Sequence, residues 1–297
     1  MFNTLKYTKF WFTVSGIIML FGIVSLSVYG LKLGIDFKGG TFVELKFDQA
    51  ASQDKVKAAL YQQGIKNYQL QVAENNNIII KTESLEKGQH DKMLVEIKNQ
   101  AGNFTETRFD SIGPIIGKEL KTNAIYQLIM VSLGIVFYIG YAFRKVAKPI
   151  TSWHFGWATI IALLHDLLFV LGFFSILGHF KGVEVDSLFV TAILTVLGFS
   201  VHDTIVVFDR VRENLKLFPG QSIDYIVNHS IAQTIVRSLN TSLTVLFVLL
   251  SLLLFGGETI KYFVLALFVG IIVGTYSSIF IASPVLVVWQ KWKTKQT

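Results

Sequence analysis

The stretch SLFVTAILTVLGFSVHDTIVVF, Ser187–Phe208, is long and apolar enough to cross a bilayer, yet it holds His202 and Asp203 within it. A hydrocarbon core takes roughly 20 residues of helix, and ionisable groups inside it are costly, rare and by default a hypothesis about function. The composition supports the membrane reading. Of 297 residues, 52% are hydrophobic and only 16% charged, against about 25% charged in ordinary soluble domains. Five more segments meet the same criterion, at 10–30, 123–143, 152–178, 234–255 and 262–289. The sequence therefore predicts a mainly α membrane protein with six transmembrane helices.

The absence of cysteine removes disulfides, thiolate chemistry and Cys-based zinc or iron-sulfur sites. Net charge is +7, but the basic residues flank apolar segments instead of pooling into a nucleic-acid patch, so they act as topology signals. Lys6 and Lys9 precede the first segment, whose apolar core is too long for a secretory signal and is followed by no small-residue cleavage site, so it reads as an uncleaved span. Arg144, Lys145, Lys148, Arg210, Arg212, Lys216, Lys291, Lys293 and Lys295 fall with Lys6 and Lys9 on one side, against Lys181 and Lys261 on the other. This bias predicts cytoplasmic termini and an outer location for the long segment after the first span.

That segment is patterned as a domain. Residues 42–47 read as a strand, Ser52 as the cap of a helix through Gln63, and Tyr68–Glu74 and Ile78–Thr82 as strands joined at Asn75, Asn76 and Asn77. A helix from Leu85 to about Gln100 stops at Gly102, and Phe104–Asp110 closes as a fourth strand. The order βαββαβ is ferredoxin-like. The expected division is 1–31 for the N-terminus and first span, 32–122 for an extracytoplasmic ferredoxin-like domain between the first two spans, and 123–297 for five further spans.

Five ionisable residues lie inside spans: His165 and Asp166 in the third, His202 and Asp203 in the fourth, and Arg237 in the fifth. Counting at about 1.5 Å per residue puts Asp203 and Arg237 at similar depth. An Asp–Arg pair in low dielectric that breaks and re-forms binds and releases a proton; Arg does not deprotonate, which makes Asp203 the carrier and Arg237 the switch. A static ion pair that fixes helix register is the plainer alternative. Thr204, Ser200, Ser238, Asn240, Thr241 and Ser242 are candidates for nearby water or interhelical contacts. Asp166 reads equally as a second proton-pathway group or a packing residue, and the two His–Asp dipeptides match no zinc spacing.

The glycine stretches GIDFKGGTF, Gly34–Phe42, and SIGPIIGKEL, Ser111–Leu120, lack the ending of a phosphate loop. Gly39-Gly40 and Gly113-Pro114 permit tight turns that would seat an outer domain on two helix ends. Gly270 and Gly274 form a GxxxG pair suited to helix packing within the chain or to dimerisation. Residues 222–233, capped by Ser222, read as a short interfacial helix ahead of the fifth span.

GIDFKGG, IGPIIGKEL, LLHD, GFSVHDTIVVFDRVREN, NHSIAQTIVRSLNTS, LFGG and VGTYSSIFIASPV occur in one order over nearly the whole chain. In that series the chain resembles the SecF family of bacterial protein-export membrane subunits. The resemblance implies a six-helix half of a resistance-nodulation-division type transporter, not an enzyme, with no cofactor and with H⁺ or Na⁺ as coupling ion. It implies pairing with SecD, association with SecYEG and with YajC and YidC, a membrane lipid setting in the bacterial inner membrane, and an unfolded exported polypeptide as substrate, with no nucleic acid. It assigns the intramembrane acid to Asp203 and the basic partner to Arg237, with His202 where many relatives carry Asn. His165, Asp166 and Thr204 join the pathway set, and Gly34, Asp36, Gly39, Gly40, Gly113, Pro114 and Gly117 the structural motifs. Half of a small-molecule or lipid exporter, or a non-transporting scaffold for the channel, are the competing readings; the short outer segment disfavours the exporter.

Overall fold

The computed structural model describes residues 4–72, 76–144, 146 and 150–294. Glu74, Asn75, Lys145, Lys148 and Lys295, named above in the turn and among the topology signals, lie outside them. The chain divides into two compact units, Met1–Lys32 with Tyr126–Thr297, and Leu33–Ile125.

The smaller unit contains β1 (Gly40–Phe47), a helix at Gln53–Gln62, β2 (Tyr68–Val72), β3 (Asn77–Thr82), a helix at Lys87–Ala101 and β4 (Phe104–Ile112). Alternation along β1 and β3 sends Val43, Leu45, Phe47, Ile78 and Ile80 to one face, where they meet Val56, Ala59 and Leu60 of the first helix and Met93 and Ile97 of the second. The strands lie in the order β2-β3-β1-β4, every neighbouring pair antiparallel. This is the ferredoxin-like arrangement that the element order predicts. Asn76 turns the β2–β3 hairpin at φ 61°, and Gly102 ends the second helix at φ 107°. Glu86 and Gln89 form a capping box at that helix's start.

Among the described residues six helices are long and apolar enough to cross a membrane: Thr4–Val28, Pro114–Ala142, Ser152–Lys181, Ser187–Leu217, Ile223–Phe255 and Glu258–Trp292. They are the first to sixth spans below. Packing pairs the first with the third and the fourth with the fifth and sixth. Between the first and third, an added Cβ on Gly172 would lie within 2.5 Å of Gly22 Cα, and Ser25 bonds Ser175 at 2.9 Å one turn further on. The sixth span is not uniform. A π-helical segment, Ser278–Ala282, joins Glu258–Ser277 to Ser283–Thr294.

The fifth span corrects one expectation. Residues 222–233 form no separate interfacial helix; Ser222 caps a helix that runs unbroken from Ile223 to Phe255. Neither Gly nor Pro interrupts it. Ile226, Val227, Ser230, Ile231 and Thr234 are buried along it, and Asn214 of the fourth span bonds Ser230 at 2.8 Å and Gln233 at 2.9 Å. Both helices thus continue as a pair beyond the length a bilayer requires.

Candidate functional site

The polar groups of the membrane unit converge on the seam between the fourth and sixth spans, which glycine makes possible. A Cβ on Gly270 would run into the Val196 side chain, and one on Gly274 would lie 2.9 Å from Ser200 Cβ. The GxxxG pair therefore brings these two helices together within one chain. Close approach puts Thr275, Ser277 and Ser278 within reach of acids that longer interhelical distances would isolate.

Asp203 is 1% exposed. Its Oδ2 accepts from Ser242 Oγ of the fifth span at 3.3 Å and from Thr275 Oγ1 of the sixth at 3.2 Å. The two hydroxyls are themselves 2.6 Å apart, closing a triangle across three helices. The Ser238 carbonyl, 3.0 Å from Ser242 Oγ, is the alternative acceptor for that hydroxyl's one proton. Ser238 Oγ is buried with no hydrogen-bond partner among the described residues.

One turn away along the fourth span a second carboxylate is enclosed. Asp166, 0% exposed, accepts on Oδ2 from Ser200 Oγ at 2.5 Å and from Ser277 Oγ at 2.8 Å. Its Oδ1 lies 3.0 Å from His165 Nδ1. Thr204 fills the space between the clusters: its Oγ1 donates to the Ser200 carbonyl at 3.1 Å and lies 3.1 Å from Ser278 Oγ. Two acids and six hydroxyl residues thus share one seam. An ionised carboxylate only accepts, whereas a protonated one also donates. A change of protonation at either acid therefore turns round one of the hydroxyl bonds that tie different helices.

The expected Asp203–Arg237 pair is not formed: among the described residues Asp203 has no ion-pair partner, and Arg237 is exposed. The cause is angular. Ser230, Thr234, Ser238 and Ser242 are buried along the fifth span, and Arg237 stands about 140° around the helix from Ser242, the one that meets Asp203. Depth can be counted along a sequence, but which side of the helix meets the acid depends on its neighbours. His202 is likewise exposed while His165 turns to Asp166, so the two His–Asp dipeptides do not converge. Among the described residues there is no group of three acids and histidines suited to a metal ion.

Asn240 and Thr241 also stay outside the acid clusters. Thr275 has no counterpart in the sequence reading, although it directly follows Gly274. A hydroxyl adjoining a helix-packing glycine is the signal that would have found it.

In the outer unit the two glycine stretches meet. Gly34 precedes a helical turn at Ile35–Lys38, which contains Asp36. Gly39 has φ 79° and a Cβ there would lie 2.9 Å from Pro114 Cα; Gly40 has φ 143° and a Cβ would lie 2.7 Å from the Thr82 carbonyl. Gly117 completes the contact, with room for no Cβ against Gly39 N at 2.8 Å. Gly113 differs, since nothing crowds it and its φ is not positive. Pro114 opens the second span as its first helical residue, where a missing N–H costs nothing.

Residues 92–292 match the family described as protein export membrane protein SecD/SecF, C-terminal, and residues 24–51 match the SecD/SecF GG motif. A protein translocase subunit SecF of Thermobaculum terrenum is 46% identical over 98% of this chain and 94% of its own length. One from Anaerolinea thermophila is 39% identical over 99% of this chain and 96% of its own. The crystal structure of SecDF, a translocon-associated membrane protein from Thermus thermophilus, superposes with a TM-score of 0.83 at 33% identity over 98% of this chain. The chain spans 39% of the length of that SecDF polypeptide.

Proposed function

Because the chain belongs to the SecF branch of the SecD/SecF protein-export family, we propose that it couples an ion gradient to late polypeptide translocation through the acids of its fourth–sixth seam. The observation that carries this reading is the bonding of Asp203. A buried carboxylate tied by hydroxyls to two other helices, with no ion-pair partner among the described residues, is placed to convert proton gain and loss into altered helix contacts. Asp166 and His165 extend the pathway, and Thr204 bridges the two clusters.

The coupling ion in this reading is H⁺; the same carboxylate and hydroxyl oxygens are also the ligand type that suits Na⁺. Arg237 and His202, exposed on the fifth and fourth spans, favour a partner over lipid at this surface, since a cation facing hydrocarbon is expensive. SecD is that partner, with SecYEG, YajC and YidC as the wider assembly and an unfolded exported polypeptide as substrate. Both termini are cytoplasmic and the domain around Leu33–Ile125 extracytoplasmic. One charge moved through 100 mV supplies about 2.3 kcal/mol, so repeated strokes or rectified diffusion, not one pull, drive the polypeptide.

The test is gradient-dependent release of an exported protein from vesicles that contain SecD, comparing wild type with Asp203→Asn and Arg237→Met at matched expression. Loss of the gradient-dependent component with the complex still assembled is the expected result. Its retention in Asp203→Asn would leave Asp203 a packing residue.

A further inference from the structure

We infer that the open edge of β2 is a polypeptide-binding site, at which an extended segment of the exported chain adds as a further strand of the outer sheet. The inference rests on the export reading above and names the surface that would meet the substrate.

The sheet has two edges, β2 and β4, and they are not alike. β4 carries Glu106, Arg108 and Asp110, and its pairing with β1 is broken by a register shift at Glu44/Leu45. Charges and bulges are the usual means of stopping an edge from recruiting a strand. β2 reads Tyr68-Gln69-Leu70-Gln71-Val72 and has neither charge nor proline. It is in unbroken register with β3, and beyond that ladder its main chain makes no hydrogen bond within the described residues. Outward N–H and C=O groups of alternate residues are therefore open to a strand.

The chemistry of this edge matches one class of occupant. Main-chain pairing reads extension, not side-chain identity, which suits a site that receives many unrelated sequences in unfolded form. A groove of about 540 Å³ lies at the Tyr68 end, lined by Gln63, Lys66, Asn67, Glu83, Gln89 and Lys92 among others. Its amides and charges give a peptide leaving the edge polar partners for its main chain. Tyr68 and Leu70 lean on the domain core while Gln69 and Gln71 are exposed, so the edge is held rigid by one set of side chains and flanked by the other.

The experiment uses the full chain with a cysteine-free SecD in proteoliposomes and a stalled exporting polypeptide bearing single cysteines at successive positions. The chain has no cysteine, so Gln69→Cys or Gln71→Cys introduces one thiol. Each should form disulfides with alternate positions of the polypeptide, because side chains of an added strand share a face every second residue; Lys98→Cys on the second outer helix should not. Of Gln69→Pro and Leu70→Pro, the variant whose lost N–H points away from β3 should keep the domain protease-resistant. That variant should lower the Gln71→Cys yield about fivefold.

No crosslinks, crosslinks without alternation, or a disulfide joining two copies of Gln69→Cys overturns the inference. Gradient-dependent export in the same vesicles separates the two readings: export without alternating crosslinks removes the edge alone, and export unchanged when the chain is omitted removes the export reading.

Discussion

Thr275 of the sixth span donates to Asp203 of the fourth at 3.2 Å, so the acid is held by a hydroxyl from a helix that Gly274 brings close. The bond can be removed with little change of shape. Thr275→Val should weaken gradient-dependent release while leaving gradient-independent translocation intact, and Thr275→Ser should restore it. Equal loss in Val and Ser variants would mean that the methyl group, not the hydroxyl, matters.

Asp166 makes a different prediction, about stability. Asp166→Leu leaves Ser200, Ser277 and His165 without their shared acceptor and should cost about 2–3 kcal/mol. Ser277→Ala should cost about 1 kcal/mol. Thermal unfolding of the purified protein in detergent ranks them; a leucine variant as stable as wild type would show that the enclosure of Asp166 contributes nothing to the fold.

Packing at the GxxxG pair is testable by compensation. Gly270→Ala drives a methyl into Val196 and should destabilise by about 1–3 kcal/mol, whereas Gly134→Ala, with open space around it, should be neutral or better. Val196→Ala in the Gly270→Ala background should recover most of the loss. Failure to recover would place the damage elsewhere than this contact.

Within the outer domain, Gly40 and Gly64 both have positive φ, but only Gly40 is crowded by main chain. Gly64→Ala should cost about 1 kcal/mol from backbone strain alone. Gly40→Ala adds a clash with the Thr82 carbonyl and should expose the domain to proteolysis; similar resistance in the two variants would contradict the close approach.

The spans and the outer βαββαβ order were legible because the physics behind them is local. A bilayer demands a length of apolar helix, and a sheet with one buried face writes a period of two into residues such as Val43, Leu45 and Phe47. Partners across helices were not legible. Arg237 and Asp203 can be matched for depth by counting, yet about 140° of rotation about the fifth helix separates Arg237 from Ser242, the residue that meets Asp203. Gly22 and Gly172, 150 positions apart, are neighbours only once the first and third spans have packed. The continuous fifth helix was missed for a related reason: the partial apolar face of residues 223–231 fits a membrane surface or the flank of the fourth span equally well, and Asn214 decides between them.

A π turn holds one residue more than an α turn, so the segment Ser278–Ala282 advances the sixth helix by about 100° relative to an uninterrupted one. Ser277 before it bonds Asp166, while Leu286 and Val287 beyond it are buried side chains of hydrocarbon. The extra residue resets the phase of the helix midway. One continuous backbone can thereby present hydroxyls to a polar seam at one level and hydrocarbon to its neighbours at the next, without a break in the chain.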